Sequence, residues 1–303
     1  MFALRTRNNK IRRAKVDIVI DIIIYFILGS AFLAVAYPLW FVVIASISDP
    51  TAVLTGQVIF HPVNISFEGY RIIFDNSAIW RGYANTVFYT LVGTLINIFF
   101  TVTIAFPLSK KSFSGRKVIM TFLLITMYFG GGLIPTFMLM SNLGLVNTRT
   151  VMVLMGAVSV FNVIITRVFF ESTLSGELEE AAAIDGCSPI IFFITCVLPL
   201  SKAILAVLAI FYGVGHWNDF MRALIYLRDP SMYPLALILR SILIMQDVGA
   251  AVTEDVVDHI ARMRLAELVR FGVIIVSSLP MLVIFPFMQR YFNKGVMIGS
   301  VKG

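Results

Sequence analysis

The chain has 303 residues, of which 59% are hydrophobic and only 14% charged, and its mean hydropathy is +0.91. Soluble domains carry roughly a quarter charged residues, so too few are present to cover a water-facing surface. The formal net charge of +7 comes from basic residues clustered in short segments between apolar runs, with no basic stripe interleaved with aromatics, which excludes a nucleic-acid-binding surface.

The apolar residues fall in long unbroken runs. A bilayer core about 30 Å thick needs roughly 20 such residues at a rise of about 1.5 Å each. Lipid offers no hydrogen-bond partners to the backbone, so spans of this kind must be helices. The fold class expected is therefore all-α and polytopic.

Residues 1–17 carry Arg5, Arg7, Lys10, Arg12, Arg13 and Lys15, a basic start like that of a signal peptide. The apolar run that follows, 18–47, outlasts the roughly 7–15 residues of a cleavable core, so it is read as the first span. Asp17 and Asp21 stand one turn apart at its start. A carboxylate at mid-bilayer costs about 2.5–3.5 kcal/mol, which places both at the interface. A polar, turn-rich stretch, 48–83, comes next. Further spans are expected at 84–108, 118–140, 150–170, 201–226 and 267–291, six in all. Prolines interrupt several of them (Pro38, Pro107, Pro135, Pro280, Pro286), and Gly130, Gly131 and Gly132 precede Pro135. Proline removes a backbone donor and bends a helix, as is common in transporters. A second polar stretch runs over 227–266.

Fifteen of the 24 Lys and Arg residues fall on one side of this layout: the N-terminal six, then Lys110, Lys111, Arg116, Lys117, Arg167, Lys202, Arg290, Lys294 and Lys302. The other nine, among them Arg222, Arg228 and Arg240, fall in the longer loops opposite. Cytoplasmic loops carry the excess of basic residues, so both termini and the 171–200 loop are expected inside. The division is then a cytoplasmic N-terminal segment (1–17), a transmembrane domain (18–291) and a cytoplasmic tail (292–303).

The 171–200 loop is the most informative segment. Glu171, Glu177, Glu179, Glu180 and Asp185 precede an apolar patch, Pro189 to Leu198, too short to span. Residues 179–184 are good helix formers, and Gly186 suits a helix end. Ala181, Ala182 and Ala183 leave one face nearly bare, so another surface can approach closely, while Glu180 and Asp185 offer charges to a basic partner. Leu198-Pro199 turns the chain back toward the membrane. The pattern describes a docking helix joined stiffly to a span. Cys187 and Cys196, in the same loop, read as small packing residues rather than a disulfide or a zinc site.

This segment resembles the E-A-A-x3-G-x9-I-x-L-P loop of ABC importer permeases, matched at Glu180, Ala181, Ala182, Gly186, Leu198 and Pro199, with Cys196 where isoleucine is usual. Other segments extend the likeness along the chain: Tyr128 to Pro135, Asn142 to Leu145, Phe211 to Asn218, and the tail from Gln289 to Gly303. Together they resemble the MalG-type sugar permeases, in the LplC/YtcP-like branch associated with oligosaccharide uptake.

The resemblance implies a type I ABC importer permease with the MetI-like fold, in a bacterial cytoplasmic membrane. Its implied partners are a second, homologous permease, two copies of a cytoplasmic ABC ATPase and an extracytoplasmic solute-binding protein. ATP and Mg would be held by the ATPase, and no cofactor by this chain. The resemblance further implies that a tail segment containing Gly295, Met297, Gly299, Ser300 and Lys302 reaches into the ATPase interface.

The absences agree with a transport subunit. There is no G-x4-G-K-[ST] phosphate loop, and His61, His216 and His259 make no metal spacing, so neither a catalytic nor a metal site is expected. Sugar sites combine aromatic faces with amide and carboxylate hydrogen bonds, a mixture offered by Trp217, Asn218, Asp219 and Tyr226. For Asp219, pairing with Arg222 is the competing role, and Trp217 also suits an interface belt. Asn97 and Asn162 suit either a path lining or hydrogen bonds between helices. An ion-coupled secondary carrier would need intramembrane carboxylates or inverted repeats, neither of which is found. A membrane-embedded enzyme would need a cluster of acid or histidine side chains at membrane depth. Importer permeases for non-sugar solutes share the E-A-A loop and remain the nearest alternative.

Overall fold

The computed structural model describes residues 15–174, 176–249 and 269–286, and among these every regular element is helical. The first element, α1 (Lys15–Ser46), is a single 32-residue helix that carries Pro38 internally. Its apolar side chains point outward along nearly its whole length, and none of its most apolar 18-residue window is buried. Near its end it joins the rest, where Ile44 packs with Ala52 and Val58, and Phe41 meets Phe271 edge-on at 5.7 Å. The polar stretch that follows holds two short helices, α2 (Pro50–Leu54) and α3 (Glu68–Asp75). Asp49 caps α2 by accepting from the Thr51 and Ala52 amides, and Pro50 opens it, where no amide is needed.

The central element is α4 (Ser77–Ser109), 33 residues or roughly 50 Å at the usual rise. Asn76 caps it through the Ala78 amide. Its buried positions, Gly82, Asn85, Thr86, Tyr89, Gly93, Asn97, Thr101, Ala105 and Leu108, recur every three to four residues and form one stripe of small, polar and apolar groups. Lipid gives no hydrophobic drive between helices, so close approach at small residues and hydrogen bonds across the seam carry the association.

The third expected span is broken. It consists of α5 (Arg116–Tyr128) and α6 (Leu133–Asn142), set at 114° to each other. The break falls on Gly130–Gly132, where Gly132 takes φ +81°, a conformation that disfavours any side chain. Pro135 sits in the first turn of α6, where its missing amide breaks no bond. The fourth expected span is also two helices, α7 (Arg149–Leu154) and α8 (Val160–Thr173), parted at Gly156.

After α9 (Gly176–Ile184), the short apolar patch continues as α10 (Pro189–Phe192), one π-helical turn (Phe193–Val197) and α11 (Leu198–Leu200). Pro199 cannot donate to the Thr195 carbonyl, and the wider turn lies directly before it. The chain then turns by 79° into α12 (Lys202–Trp217). This helix ends nine residues before the expected boundary, and α13 (Met221–Tyr226) is separate. The second polar stretch is not a loop throughout. It carries the apolar helix α14 (Leu235–Gly249), which packs on α4. The last described helix is α15 (Val269–Pro286).

Among the described residues, three helices qualify by length and apolarity as unbroken spans: α1 over Val16–Ser46, α4 and α15. The two bent pairs, α5–α6 and the Pro189–Leu200 stretch with α12, raise the number to five. The spans expected at 118–140, 150–170 and 201–226 are thus divided or shortened, at Gly130–Gly132, at Gly156 and after Trp217.

Candidate coupling surface and membrane cavity

At one end of α4 the chain builds a helix held on one face and bare on the other. Gly186, at φ +76°, ends α9 with its amide on the Ala183 carbonyl, while the Cys187 amide reaches Ala182, so both orphan carbonyls are satisfied. Ala182 and Cys187 pack inward against the cluster of Leu108, Phe170, Phe192 and Val197. Glu179 pairs with Lys110, just beyond α4, at 2.5 Å, and the same ammonium lies over the Phe106 and Phe192 rings at 4.7 and 5.4 Å. Outward, Glu180, Ala181, Ala183, Ile184 and Asp185 are exposed, Ile184 by 87%. This outer face thus carries two carboxylates with a large apolar side chain between them.

The connection from this helix to the span is short and helical. Ser188 caps α10 through the Ile191 amide, Leu198 packs into the same cluster, and Pro199 stands exposed at the bend. Beside it, Glu171 of α8 accepts from both Arg116 of α5 at 2.5 Å and Arg167 at 3.0 Å, tying those elements together. Cys187 and Cys196 are free thiols, both packed against the core.

Farther along α4, a buried polar joint locks three elements. Asn97 donates through Nδ2 to the Gly156 and Ala157 carbonyls at 3.1 and 2.8 Å, which leaves its Oδ1 to accept from His216 Nε2 at 2.7 Å. That bond sets the tautomer, with the proton on Nε2. The imidazole fits against Gly93, where an added Cβ would lie 2.5 Å from the ring. Thr101 and Tyr212 share a 2.7 Å bond one turn on. Asn97 therefore joins helices, and Asn162 is likewise buried on α8.

The four side chains expected along a substrate path do not gather in one place. Tyr226 is buried, stacked on Phe137 at 5.8 Å. Asp219 pairs with Arg222 at 3.0 Å and accepts from its amide, while Arg222 donates to the Met152 carbonyl. Trp217 and Asn218, by contrast, line one cavity of about 560 Å³ between α12, α14 and α15, together with Phe220, Arg240, Ser277 and Ser278. The Trp217 indole donates to the Ser277 carbonyl at 3.2 Å and meets Tyr83 edge-on. Tyr83 in turn donates to the Val276 carbonyl of α15.

Arg240 was expected in a polar loop. Instead it lies on α14, its guanidinium 4.7 Å from the Phe220 ring centre, with Nη1 buried and lacking a hydrogen-bond partner. The signal that finds it is a single charge inside an apolar run, Leu235 to Met245, long enough for three helical turns. Among the described residues no group of three His, Cys, Asp or Glu side chains is placed to hold a metal. Gly295, Met297, Gly299, Ser300 and Lys302 of the tail lie outside the described residues.

No family model matches the chain. It is 34% identical over 303 residues to Protein LplC of Bacillus subtilis (strain 168), covering all of both chains. It is 35% identical over 284 residues to the polygalacturonan/rhamnogalacturonan transport system permease protein YtcP of the same organism, covering 93% of this chain and 98% of that one. Among solved structures, a chain of a bacterial ABC transporter involved in the import of the acidic polysaccharide alginate superposes with a TM-score of 0.85 at 32% identity. That match covers 92% of this chain and 99% of the other.

Proposed function

The chain belongs to the permease subunits of sugar ABC importers, and we propose that it carries an oligosaccharide across a bacterial cytoplasmic membrane under the control of a docking helix, α9. It is a multi-pass transport subunit of such a system. The partners proposed for it are a second, homologous permease, two copies of a cytoplasmic ABC ATPase and an extracytoplasmic solute-binding protein. The orientation proposed puts both termini and α9 on the cytoplasmic side, as the basic residues around 110–117 favour.

The observation that carries this reading is the two-faced character of α9. Its inner face is bonded to the permease through Glu179–Lys110 and packed through Ala182 and Cys187, whereas Glu180, Ala181, Ile184 and Asp185 face outward. A partner that grips this face can move α9 as a unit. The stiff connection through Leu198-Pro199 then delivers that motion to α12, which is bonded to α4 through His216 and Asn97. The ATPase, with ATP and Mg, supplies the closing and opening motion. The permease supplies two states that differ in which side of the membrane its path faces, and the coupling lies in the different affinity of each state for the partners. The tail, including Gly295, Met297, Gly299, Ser300 and Lys302, is proposed to extend the same contact into the ATPase interface. Trp217 and Asn218 are proposed to line the sugar path, with Asp219 and Tyr226 supporting its walls.

The test is a charge reversal on the outer face. In the reconstituted importer, Glu180→Lys is expected to leave assembly and membrane insertion intact while ATP hydrolysis no longer rises with substrate-loaded binding protein. Normal stimulation and uptake in that variant would remove α9 from the coupling role.

A further inference from the structure

We propose that Arg240 binds a carboxylate of the transported saccharide, so that the membrane cavity takes acidic, uronate-bearing oligosaccharides. This deepens the sugar-importer reading above and rests on it. The guanidinium stands on α14 in a cavity otherwise lined mainly by apolar side chains, with Trp217, Asn218, Ser277 and Ser278 as its remaining polar or amphipathic groups. Among the described residues no carboxylate lines this cavity, and the nearby Asp219 is already held by Arg222. Nη1 of Arg240 is buried and has no hydrogen-bond partner, and the ring of Phe220 offers only its face. A buried charged donor left without a partner is costly, so it is retained where something else pairs with it. Here the counter-charge is left to a ligand.

The fork of an arginine matches the two oxygens of a carboxylate, whereas neutral hydroxyls satisfy it less well. Trp217 and Phe220 border the same space with aromatic rings, which suit the apolar face of a pyranose. A volume of about 560 Å³ lies within the range of small-ligand sites, roughly 300–1,000 Å³.

The complete importer, reconstituted in liposomes with its binding protein, tests this with two matched probes: oligogalacturonate fragments, and the same fragments after reduction of every carboxyl to a neutral alcohol. The binding protein is common to all variants, so any change in the acid-to-neutral uptake ratio belongs to the permease. Wild type is expected to favour the acidic fragments, and Arg240→Gln to lower that preference about tenfold while neutral uptake persists. Arg240→Lys, which keeps the charge, is expected to restore part of it. A parallel fall of both probes in Arg240→Gln would make the residue structural and overturn the proposal. So would a wild type that carries only the neutral fragments, in which case the sugar reading stands. Uptake of neither probe would overturn the proposal too, and the sugar reading would then stand on ATP-dependent uptake of other oligosaccharides.

Discussion

The joint between His216, Asn97 and Gly93 shows how single side chains hold a membrane protein together. The Asn97 amide uses both its ends, on two carbonyls of the 155–159 turn and on the imidazole, so the break between α7 and α8 is tied to the middle of α4. His216→Ala leaves the Asn97 oxygen buried without its donor and opens a void against Gly93. The expected loss is about 1–3 kcal/mol, seen as a lower thermal unfolding midpoint of the detergent-solubilised protein. Gly93→Val drives a side chain into the ring and should lower the midpoint as well. The identities of these residues were visible in the sequence, where Asn97 already suited a hydrogen bond between helices. Their partnership was not, because residues 119 positions apart meet only once the chain has folded. Arg240 illustrates the same limit: its position between apolar neighbours is plain, but its place in a cavity depends on α12 and α15 closing around it.

At the scale of elements, the helix α9 was legible in advance because its signals are local. Good formers, a run of alanines, a glycine at the left-handed end and a proline at the following bend all lie within twenty residues, and α9 with its connection follows them. The ion pair that seats it is not local, since Lys110 comes from the far side of four intervening helices in sequence. Lys110→Ala is expected to loosen that seat, so that hydrolysis continues while sugar uptake falls severalfold, measured as the ratio of sugar moved to ATP consumed. The break between α5 and α6 was anticipated only as a kink. Three glycines and a first-turn proline turn it into a 114° change of direction. Gly132→Val imposes a β-branched side chain at φ +81° and should cost about 1–2 kcal/mol, again read as a lower unfolding midpoint. The helix α14 was missed because the turn signals and charges around it made the whole 227–266 stretch read as polar, although its own residues are among the most apolar of that stretch.

Over the whole molecule, the described helices surround α4 and leave a large apolar exterior, most of all on α1, whose side chains cover little of the rest. In water such a surface would aggregate; against lipid it is the ordinary outside of a membrane subunit. Composition alone announced that environment, since it depends on sums rather than on which residues meet. The central claim, that this chain is one subunit of an ATP-driven sugar importer and is moved by a partner at α9, is tested most directly by isolating the tagged chain intact from native membranes and reconstituting what comes with it into liposomes. The account predicts an ATPase and a second permease in the isolated complex, and uptake of oligosaccharide that requires ATP. Recovery of the chain alone, still transporting without ATP, would contradict it.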